Sequence, residues 1–467
     1  MKGPGRLEIG GAPEGYEALL LAGFAAGRPG GVLHIARDDA RMAAMAQALL
    51  FFAPGLEVLL LPAWDCLPYD RVSPNAAIAS QRMDCLSRLV QAPAVHTGRV
   101  LLTTVNATLQ RMPSQSVVAG SLFRAELGGR LELPALTGYL ARNGYSRVAT
   151  VMEPGEYAVR GGLIDIFPPG AEEPLRLDLF GDQIEGIRRF DPLTQRSTGA
   201  EQQLQLVPVS EVPLDQASIE RFRVGYRRLF GAVTDDDPLY QAISEGRKQI
   251  GMEHWLPLFH DDLETVFDYL PEAPVTCDHL VEEARDARLA TIADYYNARQ
   301  EARKSRLSEA GAPYKPLPPT MLYVELTEWE RALRPRPVAS FNPHRLPEAA
   351  RTIDAGGKPG RDFAPERAQP GVNVYDALRE HITALRGAGK RVMLASFSAG
   401  DRDRQRGVLE DHEIHRLQPV EDFAAVERLP ASTAALAVLG LEHGFETAEL
   451  AVIGEQDLLG DRLVRPR

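Results

Sequence analysis

Lysine is scarce in this chain of 467 residues, and its first half has almost none. No lysine occurs between Lys2 and Lys248, although the whole chain carries 52 basic residues. Most of the positive charge is therefore arginine. A phosphate-binding loop of the usual kind needs a lysine on the β- and γ-phosphates of the nucleotide. The long stretch between these two lysines cannot supply one, which excludes a working loop of that kind there.

Cysteine is scarce as well. The three cysteines, Cys66, Cys85 and Cys277, stand far apart and form no CxxC pair. This spacing argues against a disulfide framework and against a structural zinc site. We therefore expect no bound metal and no other cofactor.

Long apolar runs are absent too. No run of about 18 or more uncharged apolar residues occurs, and the N-terminus lacks an apolar signal core. The sequence therefore predicts a cytoplasmic protein without a membrane span. The net charge is −12, from 52 basic and 64 acidic residues. Proteins that neutralise many DNA phosphates usually present a basic surface, so nucleic acid is disfavoured as the main partner.

Predicted strands and helices alternate over the first hundred residues. Short apolar runs alternate with segments that repeat apolar residues at helical spacing. Such alternation is typical of a parallel sheet covered by helices. The strands are expected at 32–36, 57–61 and 99–104, and the helices at 16–26, 39–52 and 76–90.

The chain is long enough for roughly three domains. Near residue 120 the pattern changes to strands separated by turns, and the last hundred residues return to α/β alternation. The predicted class is α/β: a parallel-sheet domain with an inserted β-rich domain, followed by a small C-terminal α/β domain. The expected ranges are 1–120 for the first part of the first domain, 121–212 for the β-rich domain, 213–335 for a mostly helical completion of the first domain, 336–370 for an exposed linker and 371–467 for the third domain.

A glycine-rich loop precedes the first predicted helix. Gly10, Gly11 and Gly15 stand where a phosphate-binding loop would lead into a helix. If the pattern starts at Gly10, Tyr16 takes the lysine position and Glu17 the hydroxyl position; if it starts at Gly11, Glu17 takes the lysine position. A carboxylate there repels a triphosphate. Two interpretations stay open: an ordinary turn before a helix, and a degenerate nucleotide site.

The most distinctive segment lies between Met152 and Ser197. It reads MEPGEYAVRGGLIDIFPPG, then LRLDLFGDQIEGIRRFD and TQRS, which predicts three strands joined by glycine- and proline-containing turns. It resembles the β-rich second domain shared by the excision-nuclease protein UvrB and the transcription-repair coupling factor (Mfd). Further segments favour the coupling factor and spread the resemblance over essentially the whole chain: LPAWDCLPYD, SQR, GMEHWLPLF, LEHGF and EQDLLG.

The resemblance implies a fold and a partner. In that family the N-terminal region is a degenerate phosphate-loop helicase-like module without ATPase activity, and its β-rich domain docks the excision-nuclease protein UvrA. RNA polymerase and DNA are bound by a C-terminal part of the family's full chain, which this sequence does not contain. The side chains expected to contact UvrA are arginines and one aromatic, the types enriched at interface hot spots: Arg176, Arg188, Arg189, Phe190 and Arg196.

Three functions compete at this point. The leading hypothesis is a non-catalytic protein-docking module of transcription-coupled nucleotide excision repair. An active UvrB-like DNA helicase or ATPase is the alternative against which the missing lysine counts. A DNA-binding repair module is disfavoured by the net charge of −12.

Overall fold

The computed structural model describes residues 5–91, 98–233, 237–304 and 314–460. The outer ends of the predicted domains, residues 1 and 467, lie outside these ranges. Within them no helix is both long and apolar enough to cross a membrane. The described part of the chain also gathers no group of three or more His, Cys, Asp and Glu side chains that could hold a metal ion.

Seven parallel strands form the sheet of the first domain. Its central strands are mostly apolar and are buried along nearly their whole length, because helices cover both faces of the sheet. The strand Val32–Ala36 is an example, since all five of its residues are buried. In spatial order the strands are Thr352–Asp354, Gly5–Gly10, Pro337–Phe341, Val275–Cys277, Val32–Ala36, Arg99–Thr104 and Glu57–Leu61.

Helices from distant parts of the chain cover this sheet. The first is Tyr16–Ala25, and the second begins after Asp38, whose side chain accepts a hydrogen bond from the Arg41 amide. The other helical segments of this domain are Ala76–Gln91, Val105–Thr108, Gln115–Gly120, Gln216–Phe230, Pro238–Ser244, the 3₁₀ helix Met252–Leu258, Val266–Tyr269, Val281–Lys304, Pro319–Leu322 and Leu326–Leu333. A two-stranded pair, Met112–Pro113 with Leu263–Glu264, completes the domain.

The β-rich domain is inserted between two helices of the first domain. One face of its six-stranded sheet packs on the helix Leu133–Arg142, through residues such as Leu136 and Leu177. The strands are, in order, Ser197–Ala200, Gln183–Phe190, Leu175–Phe180, Leu163–Ile166, Glu156–Arg160 and Ser146–Arg147. All neighbours are antiparallel except the last pair, and Phe123–Glu126 pairs separately with Gln203–Leu206.

The third domain repeats part of the topology of the first. Four of its strands are parallel and run in the spatial order Leu450–Gly454, Arg391–Ser396, Ala434–Val438 and Leu417–Val420. Numbered along the chain this order is fourth, first, third, second. In the first domain, the strands Val275–Cys277, Val32–Ala36, Arg99–Thr104 and Glu57–Leu61, at one side of the sheet, have the same order. Two short antiparallel strands, Phe445–Glu446 and Lys358–Pro359, extend the sheet. The helices of this domain, within the residues that the structure describes, are Ala364–Arg367, Val374–Gly387, Ala399–Asp411, Phe423–Arg428 and Glu455–Leu459.

The prediction of an exposed linker over 336–370 was wrong for much of that range. The strand Pro337–Phe341 lies inside the sheet of the first domain, between Gly5–Gly10 and Val275–Cys277. Phe363 is fully buried in the core of the third domain. Some of the proline and charged residues that suggested a linker lie inside these short elements, such as Pro337 and Pro359, and others lie in the turns between them. The range therefore joins two sheets by contributing strands to both.

Candidate functional site

The outer face of the β-rich sheet is the face turned away from the helix Leu133–Arg142. Register fixes which residues share it, because directly paired residues point to the same side. Asp165 pairs with Arg176, and Arg176 pairs with Arg188 on the next strand. Asp178 pairs with Leu163 and lies on the same face. We call this surface the docking face.

A tight turn and a β-bulge shape the docking face. Gly181 adopts φ +65°, a left-handed conformation that glycine tolerates, and turns the chain between two strands. The following strand carries a bulge, because Asp178 pairs with Gly186 while Leu179 pairs with Ile184. Glu185 is therefore left without a cross-strand partner, and the bulge keeps Ile184 and Ile187 both on the core side.

Arg176 and Phe190 pack against each other, so the two side chains are not a free contact surface. Phe190 has no accessible surface and packs with Val151 and Phe167 in a small apolar cluster. The Arg176 guanidinium lies over its ring, 4.4 Å from the centroid. Both carboxylate oxygens of Asp165 accept hydrogen bonds from Arg176, at 2.6 and 2.9 Å. The burial of its ring corrects the expectation that Phe190 contacts a partner, because a fully buried ring cannot touch a partner unless the domain opens.

The remaining three predicted arginines are accessible. Arg188 is 47% exposed and pairs with Asp178 at 3.2 Å. Arg189 is 49% exposed and points to the other side of its strand, where its Nε lies 2.9 Å from Glu201. Arg196 is exposed in the turn before the edge strand Ser197–Ala200. The structure thus divides the predicted set into the buried Phe190, the partly buried Arg176 and three accessible arginines.

The docking face also carries two exposed apolar residues that the sequence pattern did not single out. Phe180 is 74% exposed, and Leu163 is 38% exposed on the neighbouring strand. Phe180 stands two residues beyond Asp178, the register partner of Leu163, so the two apolar side chains are diagonal neighbours. An exposed aromatic beside glycine turns was the available signal. It was missed because Phe190 sits in the more arginine-rich segment.

A buried ion pair attaches the β-rich domain to the first domain. Arg82 is fully buried, and its Nε donates to Glu211 Oε1 at 2.5 Å, just after the last strand of the insert. Trp64 Nε1 donates to the same oxygen at 2.9 Å. His260 Nε2 donates to the Glu211 carbonyl at 2.9 Å. These contacts set the position of the docking face relative to the parallel sheet.

Four amides in and just after the glycine-rich loop donate hydrogen bonds within the chain. The Gly11 amide donates to the His344 carbonyl at 2.9 Å, and the Ala12 amide to Asn342 at 3.0 Å. The amides of Tyr16 and Glu17 donate to the Pro13 carbonyl. A phosphate loop needs such amides pointing at the ligand. These four are directed at the chain's own carbonyl groups.

Arg41, on the second helix, reaches the carboxylates in and beside the glycine-rich loop. Arg41 is 12% exposed and contacts three carboxylates: Glu14 at 3.2 Å, Asp278 at 3.2 Å, and Glu17. Burial raises the pKa of Glu14 although Arg41 opposes the shift. The first helix begins at Tyr16, so Glu17 lies in its first turn. Its carboxylate therefore interacts favourably with the positive end of the helix dipole. One arginine thus stands among three carboxylates, so the local charge is net negative and repels a triphosphate.

The β-rich domain matches a known protein family, and nearly the whole chain is similar to known proteins. A family model described as the UvrB interaction domain matches residues 123–211. The chain is 34% identical over 460 residues to the transcription-repair-coupling factor of Escherichia coli, covering 96% of this chain and 38% of that protein. It is 31% identical over 435 residues to the factor of Haemophilus influenzae, covering 92% and 36%. A match to the Mycobacterium bovis factor, at 35% identity, covers 38% of this chain and 15% of that protein.

The fold and the matched segment define a class: proteins in which a UvrB interaction domain is set in an α/β framework. Within that class, the chain belongs to the family of the transcription-repair-coupling factors and corresponds to their N-terminal region. It spans less than two fifths of the length of the E. coli and H. influenzae relatives.

Proposed function

We propose that this chain is a non-catalytic docking module of transcription-coupled nucleotide excision repair that recruits UvrA through the docking face. The observation that carries the proposal is a solvent-exposed sheet face within the segment that matches the UvrB interaction domain. Its exposed residues combine an aromatic ring, Phe180, with an arginine, Arg188, and these types dominate interface hot spots.

Arg188 suits recognition of a carboxylate on the partner. Its pair with Asp178 is half exposed on both sides, so the intramolecular contact is weak and can be exchanged at little cost. Arginine then offers two parallel donors to a partner carboxylate. Phe180 supplies apolar area beside it, and burial of a large apolar side chain contributes about 1.5–3 kcal/mol. The two residues therefore complement each other as a contact pair.

The buried Phe190 and the partly buried Arg176 have a supporting role in this proposal. Phe190 fills the apolar cluster beneath the face, and Asp165 fixes the Arg176 guanidinium above it. Held by paired hydrogen bonds, Arg176 loses little conformational entropy if its edge contacts a partner. Arg189 and Arg196 flank the face and would contribute at its rim.

The competing functions have less support. The glycine-rich loop offers no lysine to a nucleotide, and four amides in and beside it already donate to carbonyl groups of the chain, which argues against a helicase or ATPase. A DNA-binding module would need a basic surface, whereas the arginines on both sides of the docking sheet are interleaved with carboxylates such as Asp178 and Glu201.

The test is binding of purified UvrA to the immobilised chain. The double variant Arg188→Ala/Phe180→Ala should weaken binding by at least about 2 kcal/mol, or roughly 30-fold in Kd. Arg406→Ala is the matched control, because Arg406 is also a half-exposed arginine in an ion pair, with Glu410 at 2.9 Å in the third domain. Equal affinity of the double variant and the wild type would refute the proposed face. Failure of the wild type to bind would refute the proposed partner.

A further inference from the structure

The third domain lies directly over the glycine-rich loop of the first domain. Tyr16 stacks on Phe445 with ring centroids 5.6 Å apart. A Cβ added to Gly15 would stand 2.9 Å from both Leu441 methyl carbons. A nucleotide phosphate in this loop would have to displace these side chains.

The chain just before the third domain closes the loop from another side. The Gly357 amide donates to the Gly11 carbonyl at 2.9 Å, and the Tyr16 hydroxyl donates to the Ala355 carbonyl at 3.0 Å. A Cβ on Gly357 would meet Tyr16 Cδ1 at 2.5 Å, so only glycine fits this approach. The segments on two sides of the glycine-rich loop therefore pack tightly against it.

One continuous apolar core joins the two domains. It contains residues of the first two helices, such as Leu21 and Phe52, together with residues of the third domain, such as Val452. Phe52 packs edge-to-face on Phe423 at 5.3 Å. Burial of this kind is the main favourable contribution to domain association. The contact is therefore a core shared by both domains rather than a wet interface.

The contact lies at the carboxyl ends of strands in both domains. In α/β sheets ligands bind outside the carboxyl ends of the strands. The loop Gly11–Gly15 follows the carboxyl end of the strand Gly5–Gly10, and residues 439–444 follow that of Ala434–Val438 in the third domain. Each domain therefore contributes a loop from its ligand-binding edge to the contact. Four strands at one side of the first sheet, from Val275–Cys277 to Glu57–Leu61, have the same order as the four parallel strands of the third domain.

We propose that the third domain is a permanently docked second lobe whose side chains, together with Arg41, occupy the place of a nucleotide between two α/β domains. Leu441 and Phe445 fill the apolar part of the cleft, and Arg41 supplies the positive charge among the carboxylates. The glycine-rich loop then serves as a structural joint. This assignment is independent of which protein binds the docking face.

The joint is tested by loosening it in the full chain. The double variant Tyr16→Ala/Leu441→Ser should convert one cooperative thermal transition into two, with the third domain unfolding first. Trypsin cleavage at Arg345 and Arg351, in the exposed segment that leads to the edge strand Thr352–Asp354, should become at least ~10-fold faster, because cleavage tracks the open population. Tyr375→Ala, which removes a stack on His412 within the third domain, is the matched control and should preserve the single transition.

Two further measurements guard against a variant that simply fails to fold. Phe423→Ser alters the same contact at a different point and should give the same separation of transitions. Addition of ATP with Mg²⁺ should leave the wild-type transition temperature unchanged, because a filled loop gives the nucleotide no site. Independent melting of two wild-type domains, wild-type cleavage rates in both variants, or a clear rise of the transition temperature with ATP would overturn the proposal.

Discussion

Phe180 and Phe190 show how one residue type takes opposite roles on the same sheet face. Phe190 is fully buried beneath Arg176, whereas Phe180 is 74% exposed at the other end of the face. The difference arises because Val151 and its neighbours fold over one end of the face and leave the other open. A contact residue and a supporting residue therefore cannot be told apart by composition.

His34 should make the stability of the chain depend on pH. It is 1% exposed, its Nδ1 lies 3.0 Å from Thr276 Oγ1, and burial lowers its pKa to about 4. The unfolded state, with a pKa near 6.5, takes up a proton first as the pH falls. The free energy of unfolding should therefore decrease between about pH 6.5 and 4, by up to about 3 kcal/mol from this residue.

Urea denaturation at several pH values measures this effect. His34→Gln should flatten the pH dependence, although His254, whose pKa burial also lowers to about 4, will retain part of it. His415→Gln, at an exposed position, is the control and should leave the slope unchanged. An identical slope in the wild type and His34→Gln would show that His34 does not titrate as expected.

At the scale of elements, the helix Ala76–Gln91 and the end of the β-rich insert are held together by Arg82 and Glu211. Both side chains are buried, so removing one leaves an uncompensated charge in the interior. Glu211→Gln should lower the free energy of unfolding by about 3–5 kcal/mol. The double change Arg82→Met/Glu211→Leu should cost less, since it leaves no buried charge.

Chemical denaturation of the three proteins checks this prediction. The control is Glu245→Gln in the exposed pair with Arg247, which should cost no more than about 1 kcal/mol. If Glu211→Gln were no more destabilising than the control, the pair would not be the attachment point of the insert.

The regular elements of the chain were largely predictable. The strands Val32–Ala36, Glu57–Leu61 and Arg99–Thr104 begin and end as their apolar runs predict. The strands Val275–Cys277 and Pro337–Phe341 were not found. They are only three and five residues long, and they exist because they pair with each other and with distant strands. Local sequence carries little information about such non-local pairing.

The candidate site was predicted in part. The segment that forms the docking face was recognised from its motifs, and a family model matches residues 123–211. Its contacting residues stay a prediction. Arg176, Arg188 and Phe180 share the face only through the register of two strands with a bulge between them. The position of that bulge cannot be read from residue types alone.

At the scale of the whole molecule, the chain should hydrolyse no ATP above background. The loop lacks a lysine, carries Glu14 and Glu17, and is covered by the third domain. Tyr16→Lys, which restores a lysine in the Gly10 register, should be equally inactive because Arg41 and the third domain still occupy the site.

Release of labelled phosphate by the purified chain provides the measurement, with a buffer blank as its reference. Turnover that scales with the concentration of wild-type protein would contradict the prediction. Activity in Tyr16→Lys alone would mean that only the lysine is missing and that the loop is otherwise open.

The sequence by itself determined that a lysine-dependent phosphate loop has no place in the first half of the chain, because the residue is absent. It also determined the α/β alternation, because apolar periodicity is a local property. Only the tertiary structure decided which face of the β-rich sheet is open and what fills the glycine-rich loop. Those outcomes depend on contacts between residues hundreds of positions apart, such as Tyr16 with Phe445, which no local pattern encodes.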